Sequence, residues 1–166
     1  MPNWIKGTLH LRGKVKDIYR FLKEGVSKNC SMWDKDIQET IVDYSNPEEG
    51  VVSFEFMNDR FMNDPWIVDT QRAFLNNQYV KINYKDENEE TSISLGVRQA
   101  WSFKVNNWIA LSKKYKIDIR LNGFECGGQF GQEITILRGD PEPTVDEEVL
   151  KYDDWEWECP FPNIGG

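Results

Sequence analysis

The sequence predicts an α+β fold, an antiparallel sheet with helices on one face, from three observations. Stretches alternating polar and apolar side chains recur along the chain, other stretches carry apolar residues at helical spacing, and turn residues separate the two kinds. With 166 residues, 39% of them hydrophobic and 13% aromatic, the chain is long enough to bury one core without disulfides or a structural metal.

The elements follow in order. Residues 4–12 read as the first strand, because after Gly7 polar and apolar residues alternate, as in a half-buried strand; Gly13 ends it. From Lys14 the period changes: Val15, Ile18, Phe21-Leu22 and Val26 recur at three and four, an apolar stripe on a helix of about three turns. Residues 37–44 and 50–57 read as a hairpin across Ser45-Asn46-Pro47-Glu48-Glu49-Gly50. Asn63-Asp64-Pro65 has the form of a helix start, Asp64 as N-cap and Pro65 at the first position, so a second helix through Trp66-Ile67, Thr70 and Ala73-Phe74 is predicted to end near Asn76-Asn77.

Tyr79 to Lys85 and Thr91 to Lys104 flank the polar turn at 86–90 and predict another hairpin. Asn106-Asn107 is expected to cap a third helix holding Trp108, Leu111 and Ser112 to Tyr115, before Lys116 to Leu121 returns to period two. Glu133 to Leu137 is the last clear strand, reached through the glycine-rich loop 122–131.

Charge divides the chain into a domain over 1–139 and an acidic, aromatic segment over 140–166, packing on it or extending from it. The net charge is −8, and residues 140–166 hold nine acids against one base, Lys151. The other 139 residues therefore hold 19 acids and 19 bases. Such a segment repels phosphate backbone and attracts a basic protein.

Several functions find no support. Cys30, Cys126 and Cys159 lack C-x-x-C spacing and His10 is the only histidine, which is no zinc pattern. Gly123, Gly127, Gly128 and Gly131 match neither a P-loop nor a dinucleotide fingerprint, and no nucleophile motif is present. Glu125 and Glu133 are carboxylates that nothing in the sequence places together in a cleft. The reading is non-enzymatic, with no catalytic residues, cofactor or metal. Short apolar runs and an N-terminus without the form of a secretory signal predict a cytoplasmic protein.

Met1-Pro2-Asn3-Trp4 running straight into a strand is one distinctive stretch. Another is Ala100-Trp101-Ser102, a helix ending Leu111-Ser112-Lys113-Lys114-Tyr115, then a strand, Phe124-Glu125 and the return to Gly131. On these residues, and on the order of its elements, the chain resembles the YubB ferredoxin-like family of phage and plasmid proteins. The resemblance implies a ferredoxin-like fold and a mobile-element origin, and hands over no catalytic residues.

Two sites are candidates. Asp153, Asp154, Trp155, Glu156, Trp157, Glu158 and Phe161 interleave carboxylates with large rings, which suits docking on a basic or nucleic-acid-binding protein: charge steers and rings anchor. The competing reading is a final edge strand whose Trp155 and Trp157, at period two, close the core. The second candidate is a nucleic-acid patch of Lys113, Lys114, Tyr115, Lys116 and Arg120; against it, lysines at a helix end ordinarily serve the helix dipole. The expected role is a mobile-element interaction protein, inhibiting a defence or replication protein that handles nucleic acid. The alternative is a nucleic-acid-binding accessory domain.

Overall fold

The computed structural model describes residues 3–27, 41–56, 64–76, 79–139 and 142–164. Met1-Pro2, Cys30, residues 37–40 and 57 of the expected hairpin, Asn63, Asn77, Asp140 and Gly165-Gly166 lie outside the described residues. Among those described, β1 (Trp4–Lys14) leads without a loop into α1 (Val15–Glu24). Then follow β2 (Val26–Ser27), β3 (Ile41–Asp43), β4 (Val51–Phe56), β5 (Trp66–Ile67), β6 (Ala73–Leu75), β7 (Tyr79–Asn83) and β8 (Glu90–Ala100). The remainder is α2 (Val105–Tyr115), β9 (Asp118–Glu125), β10 (Phe130–Leu137), β11 (Thr144–Lys151) and α3 (Trp155–Glu158). Eight strands form one sheet in the order β11-β10-β9-β1-β8-β6-β5-β2, and three form another in the order β3-β4-β7.

β1 is the spine. It pairs antiparallel with β8 along its whole length, from Trp4 opposite Ala100 to Lys14 opposite Glu90, and with β9 on its other side. Alternation sends Ile5, Leu9 and Leu11 to one face, where they are buried with Leu95 and Val97 of β8 and Ile119 and Leu121 of β9. Gly7 leaves room for β9 beside β1: a Cβ there would come within 1.9 Å of the Asn122 carbonyl oxygen. α1 and α2 pack over this apolar face through Phe21 and Tyr115, whose rings meet edge-on at 5.4 Å. Lys6, Thr8, His10 and Arg12 point to the opposite face, which is half-buried to exposed.

Neither long helix has a side-chain N-cap. The first amides of α1, on Val15 and Lys16, donate instead to the carbonyls of Glu89 and Glu87 at 3.1 and 3.0 Å, so the turn before β8 does the capping. α2 is seated by two buried glutamines. Gln132 Oε1 accepts from the Phe103 amide at 2.8 Å and its Nε2 donates to the Phe103 carbonyl, while Gln99 Oε1 accepts from Trp108 Nε1 at 3.0 Å. The small sheet joins the same core through Phe54, which packs on Tyr19 of α1 at 5.8 Å.

This architecture corrects the expected fold class. Among the described residues the chain is dominated by a large antiparallel sheet with a second small one, and its three α-helices have 10, 11 and 4 residues; it is not a ferredoxin-like α+β fold with helices layered on one face. The helix expected after Pro65 does not form. Asp64 pairs with Arg98 at 2.8 Å instead of capping, Trp66–Ile67 pairs with β2, and the Thr70 hydroxyl ties down a turn by donating to the Ile67 carbonyl. Residues 79–85 and 91–104 are not partners either: β7 pairs with β4 in the small sheet, β8 with β1 and β6. α2 starts at Val105 without the cap expected from Asn106-Asn107, and the Asn107 side chain accepts from the Gln71 amide. The hairpin of β3 and β4 forms as expected over its described residues. No helix among the described residues is long and apolar enough to cross a membrane.

Candidate interaction surfaces

The acidic segment is built as the rim of the main sheet. β11 pairs with β10 over its full length, from Leu137 opposite Thr144 to Phe130 opposite Lys151. Its other backbone edge meets no strand in the sheet order, and all eight of its residues are exposed. Asp146, Glu147 and Glu148 lie at its centre, with Glu148 directly opposite Glu133 of β10. Like charges placed so weaken a ladder. Here Asn122 Nδ2 donates to Glu133 at 2.6 Å and Arg120 lies 3.7 Å from it.

After β11 the chain folds back over Phe124. Asp154 accepts from the Trp157 amide, and Glu158 Oε2 accepts from the amides of Asp153 and Asp154 at 3.0 and 3.3 Å, so acids that sequence alone reads as a charged tail cap a single helical turn. That turn separates the two tryptophans. Trp155 is 5% exposed, sits edge-on to Tyr152 at 5.5 Å, donates from Nε1 to the Pro162 carbonyl at 2.9 Å, and belongs to a small cluster with Phe124 and Cys159. Burial in this cluster pushes the Tyr152 phenol above its ordinary value. Trp157 is 87% exposed. The edge-strand reading of 153–158 is therefore replaced: Trp155 is core, Trp157 is surface, and the edge strand is β11.

Exposed apolar side chains gather on the same rim. Leu137, Val145, Val149, Leu150, Trp157, Phe161 and Ile164 belong to it, whereas only Tyr44, Tyr79 and Trp101 are exposed large hydrophobics elsewhere among the described residues. Of the seven residues proposed from sequence for protein binding, Asp153, Asp154, Glu156, Trp157, Glu158 and Phe161 are at the surface, and Trp155 is not. The strand that extends the surface was missed.

The five residues of the nucleic-acid patch are not brought together. Lys113 pairs with Glu142 and Lys114 with Asp69, whose hydrogen bond holds the Lys114 ammonium above the ordinary lysine value. Tyr115 is fully buried, Lys116 ends α2 in the left-handed region with φ 56°, and Arg120 points from the opposite face of the sheet, across from His10.

Comparison with protein-family models, curated proteins and solved structures finds no match to this chain.

One further grouping emerges only in three dimensions. Three short pieces of the chain converge at one end of the main sheet: Trp4 opens β1, Ala100 lies opposite it, the Trp101 amide donates to the Asn3 carbonyl at 2.8 Å, and Phe124-Glu125 ends β9. The buried Glu125 carboxylate accepts from the Gly127 and Gly128 amides at 2.7 and 2.5 Å, and a Cβ on Gly127 would come within 2.1 Å of the Asn3 side chain.

Proposed function

We propose that the chain is a non-enzymatic interaction protein that receives a basic surface of another protein on the rim formed by β11 and α3. One observation carries the reading: among the described residues the longest unpaired strand edge in the sheet order coincides with the acidic C-terminal segment and with most of the exposed large apolar side chains. Soluble proteins blunt such edges with short strands, prolines, bulges or charges; this one is long and regular, carries carboxylates that repel a like edge but not a basic one, and is flanked by a bare tryptophan. A partner strand with alternating basic residues would pair with β11 through backbone hydrogen bonds, meet Asp146 to Glu148 with its charges, and bury Trp157 and Phe161. The likeness to phage and plasmid proteins supports a mobile-element setting, and the carboxylate-lined strand suits the cleft of a defence or replication protein that ordinarily holds nucleic acid.

Affinity purification from a natural host, with mass spectrometry, tests this with three baits: the native protein, Trp157→Ala/Phe161→Ala, and Asp146→Lys/Glu148→Lys. The expected result is a basic protein held by the native bait, released as salt rises, and absent from both variants. A partner retained by both variants overturns the assignment to this rim.

A further inference from the structure

At the β6–β8 side of the main sheet, across β1 from the acidic rim, five side chains form a stack. The Arg72 guanidinium lies 5.6 Å from the centroid of Trp4 and 5.7 Å from that of Trp101, and the Arg98 guanidinium lies 4.8 Å from Trp4 and 5.3 Å from Phe74. The two arginines differ in what their N–H groups meet. Arg98 is pinned by Asp64 at 2.8 Å and its Nε is buried without a partner. Arg72 is exposed, and among the described residues its guanidinium contacts rings alone, so the edge of the fork that suits an oxyanion is open.

The backbone here is held against preference. Trp101 and Arg72 adopt φ of 67° and 54°, a region bulky L-residues avoid, and both are fixed by neighbouring strands: the Trp101 amide donates to Asn3 and the Arg72 carbonyl accepts from Ala100 at 3.3 Å. Trp101 is 53% exposed as a result. A half-open indole beside an unpaired guanidinium offers the two things a nucleotide unit presents to a protein, a surface for its base and a fork for its phosphate. Charge points the same way. Lys6, the next outward residue of β1 and about 7 Å further on, has no carboxylate at ion-pair distance among the described residues, whereas Arg12 and Arg120 beyond it face Asp118 and Glu133.

We infer that Trp4, Arg72 and Trp101, continued by Lys6, form a binding site for single-stranded nucleic acid, with a base stacked on Trp101 and its phosphate on Arg72. The occupant is a strand because the stack lies on an open sheet face that continues along β1. The site uses none of the residues assigned to the acidic rim.

Fluorescence anisotropy with a labelled twelve-nucleotide oligothymidylate at low salt tests the inference, with duplex DNA and thymidine monophosphate as competitors. The oligonucleotide binds and weakens steeply with salt, Arg72→Gln and Trp101→Gly each lower affinity about tenfold or more, and Trp157→Ala leaves it unchanged. Glycine at 101 relieves the positive φ, so Trp101→Gly keeps or raises the melting temperature while losing affinity. Absence of oligonucleotide binding overturns the site, as does equal affinity in the Arg72 and Trp101 variants. Competition by duplex or mononucleotide as strong as that of the unlabelled strand overturns the assignment to a single strand.

Discussion

Replacing the two tryptophans of the C-terminal turn by alanine, one at a time, separates core from surface within three residues. Trp155 is 5% exposed, with its ring against Tyr152 and its indole N–H on the Pro162 carbonyl. Truncating a buried tryptophan costs about 3–5 kcal/mol, and the orphaned carbonyl adds to that unless it turns to solvent. The small cluster of Phe124, Trp155 and Cys159 can collapse more easily than the main core, which places Trp155→Ala near the lower bound, about 3 kcal/mol, or roughly 10 °C in melting temperature for a chain of this size. Trp157 is 87% exposed, so its truncation changes stability by less than about 0.5 kcal/mol. As the anchor of an interface it is worth about 2 kcal/mol or more, close to thirtyfold in affinity. Urea denaturation followed by circular dichroism, beside a binding titration with the partner found by affinity purification, reads both effects. A stability loss at Trp157 comparable to that at Trp155, or full binding by Trp157→Ala, refutes the division of roles.

Four further substitutions probe the scaffold. Tyr115→Phe removes a hydroxyl that is fully buried and unpartnered, and is expected to raise stability by up to about 1 kcal/mol in thermal melts; a clear loss would show the hydroxyl to be engaged. Gln132→Ala strips both backbone groups of Phe103 of their partner and frees Glu147, with an expected loss of about 3 kcal/mol by urea denaturation. Lys113→Ala and Lys114→Ala break exposed ion pairs and are expected to shift stability by less than about 0.5 kcal/mol each; neither is expected to change oligonucleotide affinity, since neither belongs to the Arg72 stack.

The parts of the fold legible in the sequence are those whose residues have one buried face. β1 and α1 announced themselves because Leu9 and Leu11, or Ile18, Phe21 and Leu22, must all point one way. β11 was silent for the opposite reason: none of its eight residues is buried, so no alternation is imposed on Thr144-Val-Asp-Glu-Glu-Val-Leu-Lys. The false helix at Pro65 arose from real signals whose groups serve other ends, Asp64 neutralising Arg98 and Thr70 closing a turn. The charge imbalance of the last 27 residues was legible, and so was the exposure of most candidate docking residues. The helical turn that buries Trp155 could have been found from Asp154 and Glu158, a carboxylate at the cap position and another one turn later reaching back. The stack around Arg72 could not, because its members are far apart in the chain and meet only through the pairing of β1, β6 and β8.

The two ends of the main sheet are unequal, a two-residue strand at one and an eight-residue strand at the other. A bare edge of that length ordinarily invites a copy of itself, the route by which sheet proteins polymerise. In this chain, antiparallel self-pairing would lay the acidic centre of one strand along the acidic centre of its twin, with no cation at that centre to offset the repulsion. The rim thus rejects its own kind while remaining open to a strand of opposite sign, so the same three carboxylates that would select a partner also protect the molecule from fibre growth.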